Sequence, residues 1–253
     1  MASTAPAVLQ SGPRDLEFEQ PRTTNLKRGS VAPRVAPMTE TLIRQLLEAV
    51  ATQVIAAADE LTALDRAIGD GDHGLNMRRG FEAVLAQLDQ LAGRPAPEAL
   101  KAVGNVLLMR VGDASGALYG TLFISLGKAL AQDPVQGPKH DASAPYASMP
   151  YASMPYAAAF TSAVLAIKRL GKSEAGCKTM LDVLVPVQEL LASGGPDLTL
   201  RIRACAAEGA SSTIAMKALR GRASFLGERS IGHMDPGARS AQIIVTAICD
   251  ALA

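Results

Sequence analysis

The amino-acid sequence predicts an all-α fold, and three observations support this prediction. Apolar residues recur at helical spacing along most of the 253-residue chain, the alternating Val/Ile/Thr runs typical of strands are missing, and Ala and Leu dominate. A chain of this length forms one domain or at most two and can bury a sizeable core. These observations favour helices packed as antiparallel neighbours over any α/β alternative.

Eight helices are predicted in chain order. The first begins after Thr39, a residue suited to an N-cap, and its apolar stripe runs from Leu42 to Leu61. Before the last helix, Asp235 and Pro236 form an N-cap followed by proline at the first helical position. The other helices are predicted near Leu75–Leu91, Ala99–Val111, Ser115–Ala131, Ala157–Leu170, Thr179–Leu191 and Asp197–Ala218, and the last near Pro236–Leu252.

Two segments fall outside this helical pattern. Residues 1–37 hold five prolines without a sustained apolar period, which predicts a poorly ordered leader before a domain at 38–253. Residues 142–156 repeat an Ala-Ser-Ala/Met-Pro-Tyr pentapeptide three times, and this frequency of proline disfavours a regular helix. We interpret 141–156 as a slack connection between the fourth and fifth helices, with a partner-docking loop as the alternative.

Composition excludes several classes of protein. Lys and Arg total 25 against 24 for Asp and Glu, so the net charge of +1 offers no basic surface for nucleic acid. The three cysteines, Cys177, Cys205 and Cys249, are too far apart in sequence for a disulfide framework or a zinc site. The uncharged run at 142–167 contains three prolines and does not resemble a membrane span. We therefore expect a cytoplasmic protein with neither nucleic-acid nor membrane partners.

An acidic glycine-rich segment, Leu64–Met77, carries the strongest chemical signal. Asp65, Asp70 and Asp72 cannot share one helix face, because their spacings of five and two do not match helical periodicity. The glycines around them predict a bend at which the three carboxylates converge. Two carboxylates about 4 Å apart repel by on the order of 4 kcal/mol at an effective dielectric near 20. An oxygen-only site of this kind favours Mg²⁺ or Ca²⁺.

Three other interpretations of this segment are weaker. It matches the G-x-G-x-x-G pattern of dinucleotide sites, but no strand precedes it and its aspartates would repel a metal-free pyrophosphate. It begins like an EF-hand loop, yet Gly74 and Phe81 occupy positions where that loop needs oxygen ligands. A single Asp-Gly pair would indicate only a turn, whereas three aspartates, a histidine and an asparagine indicate a ligand site.

Two further segments contribute to the functional interpretation, and the first of them suits a phosphate. Residues 111–121 form a small-residue loop that opens an apolar helix, where Ser115 can cap and free N–H groups can receive a phosphate. Residues 221–238 form a Gly-rich connection that contains Arg222 and Arg229. Taken singly, the first is more often an ordinary cap, and the second is as readily an ordinary interhelical loop as a functional one.

Together these three segments resemble the L-subunit family of dihydroxyacetone kinases, which is also the C-terminal domain of single-chain dihydroxyacetone kinases. The resemblance extends from about Thr39 to the C-terminus and is most specific in Leu64–Phe81 and Gly221–Gly237. It implies a barrel of eight antiparallel helices with ADP or ATP bound at one end. It also implies that Asp65, Asp70 and Asp72 hold two Mg²⁺ ions that bridge the phosphates.

The resemblance implies further site residues and partners. Ala114 and Ser115 would meet phosphate oxygens, and adenine would rest on aliphatic side chains such as Met180. A K subunit would carry dihydroxyacetone on a histidine, and in some bacteria a phosphotransferase-system M subunit would rephosphorylate bound ADP. A homodimer is expected, and no catalytic nucleophile is required from this chain. The remaining residues implied to enclose the nucleotide are His73, Gly74, Leu75, Asn76, Gly171, Arg222, Asp235, Pro236 and Gly237.

Two functions follow as expectations. The first is a phosphotransferase subunit acting on dihydroxyacetone or a related small ketose. The second is a nucleotide-binding regulatory module that contacts a transcriptional regulator. A fatty-acid kinase would need additional domains for which the chain has no room. The sequence departs from the family at two positions. Asp113 stands where Gly is usual and adds a negative charge at the predicted phosphate loop, residues 111–121. Cys177 stands where Asp is usual.

Overall fold

A computed structural model of the chain describes residues 1–2, 38–132 and 154–253. These residues form ten α-helices and two 3₁₀ helices and contain no β-strand, which confirms the all-α prediction. The N-terminal leader at 3–37 and the repeats up to residue 153 lie outside the described residues. The elements are α1 Glu40–Ala56, α2 Ala58–Ile68, α3 His73–Leu85, α4 Leu88–Ala92, α5 Ala96–Arg110, α6 Asp113–Ala131, α7 Met154–Gly171, α8 Leu181–Ser193, α9 Leu198–Ser212, η1 Thr213–Ala215, η2 Arg222–Ser230 and α10 Pro236–Ala251.

The first two predicted helices are each divided in the structure. The predicted first helix separates at Ala57 into α1 and α2, and α2 continues to Ile68, beyond the predicted end. The predicted second helix separates after Leu85 into α3 and the short α4. Neither break contains glycine or proline, and both halves of each pair face the same core. An apolar stripe therefore continues across the break and conceals it from periodicity.

Other boundaries also differ from the prediction. The helix predicted at Asp197–Ala218 ends as α9 at Ser212 and is followed by η1 up to Ala215. Helix α7 begins at Met154, so the third pentapeptide repeat contributes Pro155 and Tyr156 to a helix rather than to the predicted loop. Proline is tolerated there because the first turn of a helix needs no N–H donor at that position. In the connection predicted at 221–238, residues Arg222–Ser230 form η2, interrupted at Gly227, where φ is +58°.

The packing of eight helices forms a closed series. In order of contact, α1 packs on α3, α3 on α5, α5 on α6, and the series continues through α7, α8, α9 and α10 back to α1. Side chains from these helices share one apolar core, in which Tyr119, Phe81 and Met77 are among the largest fully buried residues. A closed series is what the implied barrel requires, although the antiparallel barrel itself stays a prediction.

The backbones of α5 and α6 lie in close contact along the two helices. A Cβ atom on Gly104 would lie 2.6 Å from the carbonyl oxygen of Gly120, and one on Gly127 would lie 2.5 Å from that of Pro97. Glycine at these positions lets the two helices approach more closely than side chains would allow. Within the described ranges, no helix is long and apolar enough to cross a membrane.

Candidate functional site

The acidic loop lies between α2 and α3 and is held by one of its own carboxylates. Asp65 is in the last turn of α2, and its Oδ2 accepts hydrogen bonds from the backbone N–H groups of Gly71 at 2.9 Å, Asp72 at 2.9 Å and His73 at 3.2 Å. Gly71 has φ +80°, a conformation that favours glycine. Asp65 therefore belongs to helix α2 rather than to the loop, and its carboxylate holds the loop through these three hydrogen bonds.

The three predicted metal ligands converge in the structure. One carboxylate oxygen from each of Asp65, Asp70 and Asp72 lies within 4.8 Å of the other two. Asp65 is buried, Asp72 is half-buried and Asp70 is exposed, so the cluster opens toward solvent on one side. Oxygen-only donors at this spacing fit a hard divalent cation such as Mg²⁺, which binds through few carboxylates and keeps positions for phosphate. The metal role of these residues stays a prediction.

Arg222 brings a positive charge to this cluster from η2. Its guanidinium forms an ion pair with Asp70, and its Nη2 lies 2.7 Å from Asp113 Oδ2. Asp113 begins α6 with φ +49°, a left-handed conformation that aspartate tolerates better than most residues. The additional charge at Asp113 is thus paired with Arg222 rather than left beside the predicted phosphate loop.

A buried hydrogen-bond network joins the start of α3 to α6 and α10. His73 Nδ1 lies 2.9 Å from Ser115 Oγ, and His73 Nε2 lies 3.0 Å from Ser240 Oγ. Ser240 Oγ is also 2.7 Å from the Tyr119 hydroxyl and 3.0 Å from the carbonyl oxygen of Gly237. Burial lowers the pKa of His73, against the opposing charges of Asp65 and Asp72, and burial raises the pKa of Tyr119.

This network brings predicted residues from three segments together and adds two that the sequence did not indicate. His73, Ser115 and Gly237 were expected at the nucleotide, whereas Tyr119 and Ser240 were not. Tyr119 is on the apolar face of α6, and a core position is the ordinary interpretation of such a tyrosine. The helices α3, α6 and α10 all start within or beside this network, and free N–H groups at helix starts favour anions.

Arg79 is another residue that sequence reasoning missed. Its Nη2 donates to Asn76 Oδ1 at 2.8 Å and to the Val111 carbonyl at 2.7 Å, and its Nε donates to the Arg110 carbonyl at 2.7 Å. Arg79 thereby orients the predicted nucleotide residue Asn76 and fixes the turn before α6. The only sequence signal was its position one helical turn after Asn76.

Two buried polar side chains, Lys178 and Asp182, bind backbone groups around the segment that precedes Met180. Lys178 is 1% exposed, and its Nζ donates to the carbonyl oxygens of Thr213, at 2.5 Å, and of His233. Asp182 is also buried and accepts from the backbone N–H groups of Thr179, at 2.7 Å, and of Gly176. These bonds shape the segment that leads to Met180. Neither Lys178 nor Asp182 was predicted from the sequence.

The structure places the other predicted residues as follows. A Cβ atom on Gly237 would lie 3.6 Å from the backbone nitrogen of Met180, so the start of α10 contacts the start of α8. Met180 is only 4% exposed, and its role as a platform for adenine stays a prediction. Gly171 ends α7 beside Leu118, which is not a predicted site residue. Leu75 is half exposed on α3, Ala114 is exposed in the first turn of α6, and Pro236 is buried.

The carboxyl group of Asp235 makes the stability of the chain depend on pH. Its Oδ2 accepts from the Ala238 N–H at 2.7 Å, and burial raises its pKa from 3.8 to about 7, although Lys178 opposes this. The native state therefore holds more protons than the unfolded state between these values, so this contribution to stability falls as pH rises toward 7 and stays low above it. Denaturant unfolding of the wild type and of Asp235→Asn at pH 5 and at pH 8.5 measures this pH-dependent contribution to stability.

From pH 5 to pH 8.5, we expect the free energy of unfolding of Asp235→Asn to increase relative to that of the wild type by on the order of 1–2 kcal/mol. Asparagine can still accept the Ala238 bond, so the N-cap is retained in the variant. A stability difference that stays constant with pH would contradict the raised pKa of Asp235.

Comparisons with known proteins place the chain in one family. A family described as the DAK2 domain matches residues 67–250. The chain is 41% identical over 194 residues to the ADP-binding subunit DhaL of the PEP-dependent dihydroxyacetone kinase of Escherichia coli K12, covering 74% of this chain and 85% of the relative. It is 37% identical over 188 residues to the corresponding subunit of kinase 1 from Listeria innocua, covering 74% and 84%.

A crystal structure shows the same fold. The dihydroxyacetone kinase from C. freundii, in complex with AMP-PNP and Mg²⁺, matches with a TM-score of 0.61 at 22% identity. The match covers 95% of this chain but only 38% of that chain. The likeness therefore concerns the fold, and the present chain spans well under half of that kinase.

Proposed function

The chain belongs to the DAK2 domain family, and from this membership we propose that it is the nucleotide-binding L subunit of a dihydroxyacetone kinase. It transfers a phosphoryl group from magnesium-bound ATP, or from bound ADP that an M subunit rephosphorylates, to dihydroxyacetone or a related small ketose. A partner K subunit holds the ketose. A homodimeric state and a cytoplasmic location belong to the same proposal.

The observation that carries this proposal is the convergence of Asp65, Asp70 and Asp72 beside the starts of α3 and α6. These carboxylates would hold two Mg²⁺ ions, which supply charge neutralisation and alignment of the phosphates when bound. Backbone N–H groups in the first turn of α6 receive phosphate oxygens, aided by the positive end of the helix dipole. The chain contributes positioning and electrostatics, and the acceptor comes from the K subunit.

Arg222 links the acidic loop to the phosphate loop in this proposal. Its guanidinium contacts Asp70 and Asp113, which belong to the two different loops. A cation held by Asp70 would compete with the guanidinium, and Asp113 would then keep Arg222 at the site. The released N–H groups are available to a phosphate, for which the planar guanidinium is well suited.

Reconstitution tests the proposed function. The purified chain is mixed with a K subunit, dihydroxyacetone and Mg²⁺, either with ATP alone or with an M subunit and a phosphoprotein donor system. We expect ketose phosphate to form under at least one condition and only when both this chain and the K subunit are present. A chain that binds magnesium and ADP but forms no product under either condition would instead indicate the regulatory module.

A further inference from the structure

The guanidinium of Arg79 connects α3 to the turn before α6 through three hydrogen bonds. Its Nε donates to the Arg110 carbonyl at 2.7 Å, and its Nη2 donates both hydrogens, to the Val111 carbonyl at 2.7 Å and to Asn76 Oδ1 at 2.8 Å. The two carbonyls lie at the end of α5, where carbonyl groups lack partners within the helix. Because the three contacts use three different N–H bonds, the guanidinium cannot rotate without losing one of them.

The contact with Arg79 determines which end of the Asn76 amide faces the guanidinium. Arginine has N–H donors and no acceptor, so the amide atom 2.8 Å from Nη2 must be the oxygen and not the nitrogen. The NH2 group of Asn76 therefore lies at the other end of the amide, with two hydrogens to donate. Asn76 is 8% exposed, and among the residues that the structure describes its Nδ2 has no hydrogen-bond partner. A buried donor without an acceptor indicates a ligand that supplies one.

The position of Asn76 on α3 brings this NH2 group to the acidic loop. Asn76 is in the first turn of the helix, and its backbone N–H donates to the Asp72 carbonyl at 2.9 Å. Residues four apart share one face of a helix, so Asn76 lies on the side on which Asp72 joins the carboxylate cluster. An amide NH2 group has donors only and does not bind a cation, whereas it donates well to an anionic oxygen. The ligand that it suits is a phosphate oxygen.

Arg79 also sets this donor relative to the start of α6. Val111 is followed by Gly112, whose φ is +80° and where a Cβ atom would lie 3.2 Å from Arg79 Nη2. One guanidinium therefore holds both the amide of Asn76 and the turn that leads to the N–H groups of α6. Two sets of donors for the same phosphates are thus fixed by a single side chain.

The opposite orientation of the amide would give Asn76 a different chemical role. An asparagine oxygen that faced the carboxylates would be a further oxygen ligand for a divalent cation. We propose that Arg79 is a positioning residue, which keeps the Asn76 oxygen away from the cation and presents the Asn76 NH2 group to a phosphate oxygen of the bound nucleotide. This inference rests on the proposed function for the identity of the nucleotide.

Nitrogen NMR of the asparagine side chains tests the orientation without turnover. The chain contains Asn25, Asn76 and Asn105, so ¹⁵N labelling of asparagine gives three NH2 groups, and an Asn76→Ala variant assigns one of them. In the wild type, we expect ADP with Mg²⁺ to shift one Asn76 NH2 proton downfield, as a hydrogen bond to phosphate does, and to leave Asn105 in place. A shift that Mg²⁺ alone produces in full would show that the amide oxygen binds the cation, and it would overturn the inference.

The variant Arg79→Met isolates the contribution of the guanidinium. We expect the Asn76 NH2 signals to move in the free chain and the downfield shift with ADP and Mg²⁺ to be lost. Arg78→Met is the matched control, because Arg78 is the neighbouring residue on α3 and pairs with the exposed Asp59. This control is expected to leave the Asn76 signals unchanged. Asn76 signals that stay in place in free Arg79→Met would refute the positioning role.

Binding measurements separate positioning from general damage to the site. We expect Arg79→Met and Asn76→Ala each to weaken ADP binding with Mg²⁺ about tenfold in calorimetry, and to leave Mn²⁺ binding without nucleotide within about twofold by electron paramagnetic resonance. Because Arg79 acts through Asn76, the double variant is expected to bind ADP within about twofold of Arg79→Met. Equal losses of ADP and Mn²⁺ binding would show that Arg79 only maintains the structure, which overturns the inference.

Failure of this inference and failure of the proposed function give different results. If ADP binds to the wild type with Mg²⁺ and the Asn76 signals do not move, the inference is overturned and the nucleotide site remains. If ADP does not bind to the wild type, the proposed function and the phosphate contact of Asn76 are both refuted, whereas the spectrum of free Arg79→Met still decides whether Arg79 holds the amide. Far-ultraviolet circular dichroism confirms that the helices of each variant are intact.

Discussion

Replacing Asp70 by Ala is expected to abolish magnesium-dependent retention of ADP and phosphoryl transfer while the helical fold persists. The side chain of Asp70 is 46% exposed, and its partner in the described structure is Arg222, so its removal costs little folding free energy. The same change removes one of three converging carboxylates and leaves the positive charge of Arg222, still paired with Asp113, beside the other two. We expect the affinity for ADP with Mg²⁺ to fall by at least about 100-fold.

Titration calorimetry, circular dichroism and the reconstituted transfer assay measure these effects. Asp59→Ala is the matched control, because Asp59 is an exposed aspartate on α2 whose partner is Arg78. This control is expected to bind ADP as the wild type does. Asp65 is a poorer choice for the test, because its Oδ2 also holds three backbone N–H groups of the loop. Undiminished transfer by Asp70→Ala would refute the metal assignment.

Local sequence was sufficient to predict the acidic loop. The three aspartates lie within eight residues, and the glycines between them restrict the backbone, so their convergence depends little on the rest of the fold. Helical periodicity likewise identified the all-α class, because apolar stripes facing one core repeat along the chain. The helix break at Ala57 was not predictable, since the stripe continues across it without glycine or proline.

The residues that support the site were missed because their partners are distant in sequence. Ser240 is 167 residues from His73, and Arg79 bonds to the carbonyl of Val111 at a separation of 32. No local pattern distinguishes an ordinary core tyrosine from Tyr119, whose hydroxyl lies 2.7 Å from Ser240 Oγ. The charge of Asp113 appeared unfavourable from the sequence alone, and only the three-dimensional contact with Arg222 shows how it is compensated.

Replacing Gly74 by Ala is expected to have the largest effect on stability. Gly74 is buried where α3 crosses α2, and a Cβ atom there would lie 1.9 Å from the Ala58 carbonyl oxygen and 2.4 Å from Thr62 Oγ1. A third neighbour, the backbone nitrogen of Thr62, would be at 2.7 Å. Two of these three atoms belong to the backbone of α2, so no side-chain rotation relieves the overlap, and the two helices must separate.

Separation of α2 and α3 would also disturb the acidic loop, because Asp65 at the end of α2 bonds to the backbone N–H groups that begin α3. We expect Gly74→Ala to lower the free energy of unfolding by at least about 3 kcal/mol in urea denaturation, at the upper end for overpacking. Gly93→Ala is the control, since its nearest neighbour is 3.4 Å away and its φ is −70°; we expect a change within about 0.5 kcal/mol. If both variants are equally stable, Gly74 is not required for the close approach of α2 and α3.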